Sequence, residues 1–174
     1  MTKKEFAQFG MILKAFYPKE TILPNDACMN AWYELLKDLD YNVACAGLRK
    51  WATTNKWSPT IADIREMAVS VTQGEIPTWD VAWGNVMVAI RKFGYCRCEE
   101  AMASLDELTQ ECVRNIGGFV NICMSENIEA DRANFRMTYE RKATRKREDA
   151  QVPLDLKNII ENLFRVERIE QNDN

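Results

Sequence analysis

The stretch Trp57-Ser58-Pro59-Thr60-Ile61-Ala62-Asp63-Ile64-Arg65 restricts the fold of this chain more than any other. Pro59 bars Ser58 from the α conformation, so a helix arriving through Trp51 must stop before it. Thr60 then offers its hydroxyl as an N-cap, and Asp63, three residues on, completes a capping box with Asp in place of Glu or Gln. Ile61, Ile64 and the Met67/Ala68 pair follow at helical spacing. The segment thus spells a helix, a hard stop and a new helix, with Trp57 expected as an aromatic core residue between them. It holds no nucleophile, metal ligand or phosphate loop.

The same punctuation recurs along the chain. Thr2 and Glu5 open a first helix whose apolar face is Phe6, Phe9, Ile12/Leu13 and Phe16, closed by Pro18. Pro24, with Asn25 or Asp26 as cap, opens a second through Met29, Trp32, Leu35/Leu36 and Leu39. A third follows Asp40 through Val43/Ala44, Gly47/Leu48 and Trp51. The fourth starts at Thr60 and closes near Gly74, expected as a left-handed cap. No alternating strand pattern survives in these residues, and 7 Gly and 5 Pro in 174 residues disfavour a turn-rich β fold. The predicted fold class is all-α: an N-terminal four-helix bundle followed by a helical C-terminal region.

Gly74-Glu75-Ile76-Pro77 reads as a linker, which sets residues 1–75 apart as the first helical domain. A second helical region, 76–150, holds a helix from Thr78 to Gly94, a short one around Glu99–Ala103, and another from Asp106 to Ile116. Gly117-Gly118 breaks the chain there, a short turn covers Phe119–Met124, and a long helix runs from Asn127 to about Ala150. Val152-Pro153 then separates a last amphipathic helix, 151–174.

Several function classes fall away. The chain has no His, which removes the commonest general base and the Ser-His and Cys-His nucleophile pairs. Six Cys (28, 45, 96, 98, 112, 123) include no CxxC, and Cys96-Arg97-Cys98 stands alone, so free, mostly buried thiols are expected rather than zinc ligands. There is no G-x-x-x-x-G-K-[ST] loop. The acidic pairs Glu99-Glu100 and Asp106-Glu107 suit helix starts, where the dipole favours carboxylates, better than a metal. The expectation is a non-enzymatic protein without cofactor or metal. No apolar run reaches the ~18 residues of a membrane span, and the N-terminus has no apolar signal region. A cytoplasmic protein is expected.

Two stretches remain as candidate sites. The net charge is −3, yet residues 131–150 carry 7 basic against 4 acidic side chains. Arg132, Arg136, Arg141, Lys142, Arg145, Lys146 and Arg147 form this run, with Phe135 and Tyr139 among them. One reading is a surface for nucleic acid or an acidic partner, the aromatics stacking on bases. The other is a solvated helix whose aromatics face a core. The final helix carries an apolar stripe of Leu156, Ile159, Ile160 and Leu163, with Phe164 at its edge. It either packs on its own domain or lays that face into a partner's groove. Trp32 and Trp51 are expected in the core with Trp57.

Phe16-Tyr17-Pro18, Ala31-Trp32-Tyr33-Glu34-Leu35-Leu36-Lys37-Asp38 and Trp57-Ser58-Pro59-Thr60-Ile61-Ala62-Asp63-Ile64-Arg65 resemble the phage replicative-helicase loader/inhibitor family of phages of Gram-positive hosts. Ala82-Trp83-Gly84, Ala89-Ile90-Arg91 and Gly94-Tyr95 are similar to longer relatives, so the resemblance extends over about residues 1–140. Trp57-Ser58 stands where members more usually have Phe-Pro. The resemblance implies a protein that binds the hexameric replicative DNA helicase, holds it inactive and delivers it to an origin-bound initiator, without being an ATPase. It also implies a helical N-terminal domain followed by a flexible C-terminal part that contacts the helicase. Two other functions fit the residues: a DNA-binding replication-initiation protein acting through 132–147, and a phage protein that sequesters another host factor.

Overall fold

The computed structural model describes residues 1–172, with side chains described as far as Leu163. Among the described residues there are ten α-helices and no strand, so the chain is all-α. They are α1 (Lys3–Phe16), α2 (Asp26–Leu36), α3 (Tyr41–Thr54), α4 (Ile61–Gln73), α5 (Trp79–Phe93), α6 (Cys98–Ala103), α7 (Glu107–Asn115), α8 (Phe119–Cys123), α9 (Ile128–Gln151) and α10 (Leu154–Asn172). A single 3₁₀ turn, Tyr95–Arg97, leads into α6.

The helix starts follow from side-chain chemistry. Thr2 and Thr60 each accept from the N–H three residues on, while Glu5 and Asp63 reach back to the cap N–H, so both capping boxes close. Asn25 accepts from the Cys28 N–H, Asp40 from Asn42 and Val43, and Asp106 from Thr109. Each satisfies donors that the helix itself leaves open. Gly74 ends α4 at φ 75°, ψ −179°, a positive-φ extended residue rather than the expected left-handed cap. Gly117 and Gly118, at φ 114° and 90°, make the sharp break between α7 and α8.

The chain divides into two compact units. The first comprises residues 1–74 and those from 148 on; the second is 75–147. In the first, α1 supplies Phe6, Phe9 and Leu13 to a core completed by Leu23, Leu36, Ala44, Cys45, Leu48 and Ile64. Helices α3 and α4 approach closely at Gly47, where an added Cβ would lie 3.1 Å from Met67 Cβ and 3.2 Å from the Ala68 nitrogen. Any larger residue at 47 would push the two helices apart.

The second unit has its own core, in which Trp83 and Val86 of α5 meet Leu108, Cys112 and Val113 of α7, Phe119 and Ile122 of α8, and Phe135 and Tyr139 of α9. Trp83 and Phe135 lie 5.2 Å apart between ring centroids, and Phe135 and Tyr139 5.5 Å. The Tyr139 hydroxyl donates to the Pro77 carbonyl at 3.1 Å. Burial pushes its pKa up to about 12 and that of Cys112 to about 11, which keeps both neutral in the core.

One expected core residue is elsewhere. Trp32 and Trp51 are half-buried, but Trp57 is 78% exposed. The reason lies in the backbone: the Trp51 indole N–H donates to the Trp57 carbonyl at 2.9 Å. That bond holds Trp57 by its main chain and leaves its ring in solvent.

Candidate partner-binding surfaces

Arg65, the last residue of the signature stretch, is only 6% exposed although charged. Its two terminal nitrogens donate to the two Asp38 carboxylate oxygens at 2.8 Å each, and one of them also donates to the Leu35 carbonyl at 2.7 Å. Its Nε donates to the Gln151 carbonyl, at the end of α9. This fork satisfies a buried guanidinium in the way that buried charge requires. The Arg65 bond holds the Asp38 carboxyl below its ordinary pKa. Pro153 is buried, and Asp155 lies 3.6 Å from Lys37 in a solvent-exposed pair. The C-terminal segment is therefore fastened to the first unit at its start.

Beyond that fastening α10 is bare. Leu156, Ile159, Ile160 and Leu163 are all exposed, Ile159 at 56% and Leu163 at 62%. Their spacing keeps them on one helical face. Phe164 lies outside the residues whose side chains are described. The structure gathers four of the five predicted residues into one uncovered apolar row.

The basic run is dispersed over the surface of α9. Arg132 and Arg136 place their guanidinium groups over the Trp79 ring, 5.4 and 5.0 Å from its centroid, and Arg136 also pairs with Glu140 at 2.9 Å. Arg132 lies 3.8 Å from Glu129. Lys142 pairs with Glu111, and Lys146 with Glu107 at 3.8 Å, so two acidic residues of α7 answer two lysines of α9. Arg141, Arg145 and Arg147 are exposed without an ion pair among the described residues. Phe135 and Tyr139 are fully buried, which corrects the idea that they stack on bases. They serve the core because they sit on the side of α9 opposite its charges.

Sequence reading missed a third surface. The segments 20–24 and 58–62, with Cys28 and Trp32 of α2, line a groove of about 580 Å³ in the first unit. Ile22, Leu23, Pro24, Pro59 and Ile61 make its apolar walls, and the Ser58 hydroxyl donates to Glu20 across it. Trp57 adjoins it in sequence. The signal was present in the signature stretch, but pattern alone assigns its apolar residues to a core.

None of the described helices is long and apolar enough to cross a membrane, and no three His, Cys, Asp or Glu among the described residues form a group that could hold a metal ion. What the two units present is apolar and cationic surface on helical scaffolds, the make-up of a docking protein. Residues 1–65 match the family of the N-terminal domain of the phage SPP1 helicase loader/inhibitor, and they belong with the phage helicase loader/inhibitors. The match ends at Arg65, and the rest of the chain lies beyond it. No curated protein and no solved structure matches the chain.

Proposed function

We propose that this chain is a phage DNA-replication protein that binds the hexameric replicative helicase and loads or inhibits it by protein contacts alone, without catalysis. The observation that carries this reading is the uncovered row Leu156, Ile159, Ile160 and Leu163 on a helix fastened to a helicase-loader-type domain. An amphipathic helix with aliphatic residues at this spacing docks in an apolar groove, here one on the helicase. Phe164 extends the same face in sequence. The action is steric: the loader occupies surfaces that the ring needs for movement and leaves when an origin-binding initiator takes over. It acts in the cytoplasm of the bacterial host. The test is a helicase pull-down, with complex mass by size exclusion, comparing the full chain with one lacking residues 152–174. Loss of the complex on truncation is the expected result, and unchanged binding rejects the docking role.

A second reading has its own observation: Arg141, Arg145 and Arg147 stand exposed on α9 and unpaired among the described residues. They offer a contact for DNA or for an acidic partner face, with Arg132, Arg136, Lys142 and Lys146 already engaged within the protein. Three phosphate contacts would give a shallow salt dependence, log affinity falling against log salt with a slope of roughly −2 to −3. An electrophoretic shift at two salt concentrations measures it; an affinity indifferent to salt removes this reading.

A further inference from the structure

The groove beside the signature stretch and the row on α10 are both apolar, both on the first unit, and neither covers the other. We infer that the α10 row of one copy seats in the 20–24/58–62 groove of a second copy, giving a dimer by reciprocal exchange.

The groove is built to receive something. Among the described residues Leu23 is the one non-glycine residue at positive φ, 53°, a conformation that costs a branched residue of this kind on the order of 1 kcal/mol. It is held there: its side chain is buried against Gly10, where an added Cβ would lie 3.2 Å from Leu23 Cδ1, and its carbonyl accepts from Lys14 Nζ at 3.0 Å. The wall is thus fixed before any ligand arrives. Beside it, Trp57 leaves its ring in water, and a bare Trp at the rim of an apolar groove is the residue type that dominates binding energy at interfaces.

Charge and area favour α10 as the occupant. Lys19 and Lys56, which flank the groove segments in sequence, are exposed and have no carboxylate partner among the described residues, while the Glu20 carboxylate is engaged by Ser58. The C-terminal segment 151–174 is acidic, with 5 acidic against 3 basic side chains. At their observed exposures, Trp57 and the four α10 residues leave on the order of 500 Å² of apolar surface in water per copy. A two-fold exchange uses this twice and removes roughly 1,000 Å² before the groove walls are counted, the size at which specific interfaces begin. The exchange is isologous, so it closes at two copies instead of growing into a filament.

This inference concerns the chain alone and does not rest on the helicase. Because one α10 row cannot fill a groove here and on the helicase together, self-association and helicase binding compete. Sedimentation of the full-length protein tests it, from low micromolar to several hundred micromolar. The expected result is a mass that doubles with concentration. Trp57→Ala and Ile159→Asp, both at exposed positions, each weaken the dimer at least roughly tenfold; Leu163→Asp is a second variant of the row. Mixing Trp57→Ala with Ile159→Asp restores one intact groove–row contact, so the mixture dimerises more tightly than either variant alone. A wild-type protein that stays monomeric throughout overturns the inference. So does a dimer that the α10 variants abolish and Trp57→Ala leaves untouched, since the row would then pair with itself.

Discussion

Helices α9 and α10 follow one another with only Val152 and Pro153 between them, and each carries aliphatic or aromatic residues at helical spacing. On α9, Phe135, Tyr139 and Ala143 are buried, and its remaining surface is charged. On α10, Leu156, Ile159, Ile160 and Leu163 lie open. By sequence α10 is the better amphipathic helix, since α9 is so polar that its apolar face is three residues wide. The difference teaches that amphipathic pattern measures what a helix needs covered, and only the surrounding chain decides whether the cover is intramolecular. For α9 the cover is α5 and α7 of its own unit. For α10 it must come from another molecule.

The largest expected effect tests the covered side. Phe135→Ala removes a fully buried ring in contact with Trp83 and Tyr139, and should lower unfolding free energy by roughly 3–5 kcal/mol in chemical denaturation. A loss below about 1 kcal/mol would mean that this side of α9 is not core.

The next tests the fastening of the C-terminal segment. Arg65→Met leaves the Asp38 carboxylate and the Leu35 and Gln151 carbonyls without their donor. The cost is roughly 2 kcal/mol, less than for a fully buried pair because Asp38 is partly exposed. The pH dependence has a definite sign. The Asp38 carboxyl is depressed in the folded state, first by the hydrogen bond from Arg65, so its stabilisation is complete above the ordinary carboxylate range. It is lost as pH falls through the lower folded value. Wild type should therefore lose more stability than Arg65→Met between roughly pH 5 and pH 2; parallel curves would show that the pair carries no linkage.

The smallest effect sharpens the exposed side. Leu163→Ala should change stability by less than roughly 0.5 kcal/mol, because a residue already in solvent loses little on truncation. A loss comparable to that of Phe135→Ala would place α10 in a core after all.

Much of this architecture was legible. Thr2, Asn25, Asp40, Thr60 and Asp106 cap the helices that their positions announced, because capping is decided within four residues. The α10 row was legible for the same local reason. Arg65 was not, since its acceptors Leu35, Asp38 and Gln151 lie 30, 27 and 86 residues away and no spacing rule joins them. Trp57 was misplaced because a large aromatic next to a helix stop reads as a core residue, and only the Trp51 bond to its carbonyl shows the ring turned outward. The groove shares that fate: its lining comes from two segments brought together by the fold.

The outward turn of Trp57 gives the protein an optical label of its own. Trp83 is buried and Trp32, Trp51 and Trp79 are half-buried, so the red edge of the tryptophan emission belongs to the one ring in water. Whatever settles on that edge of the first unit, a second copy or a helicase, will report its arrival as a change in colour and in access to a soluble quencher.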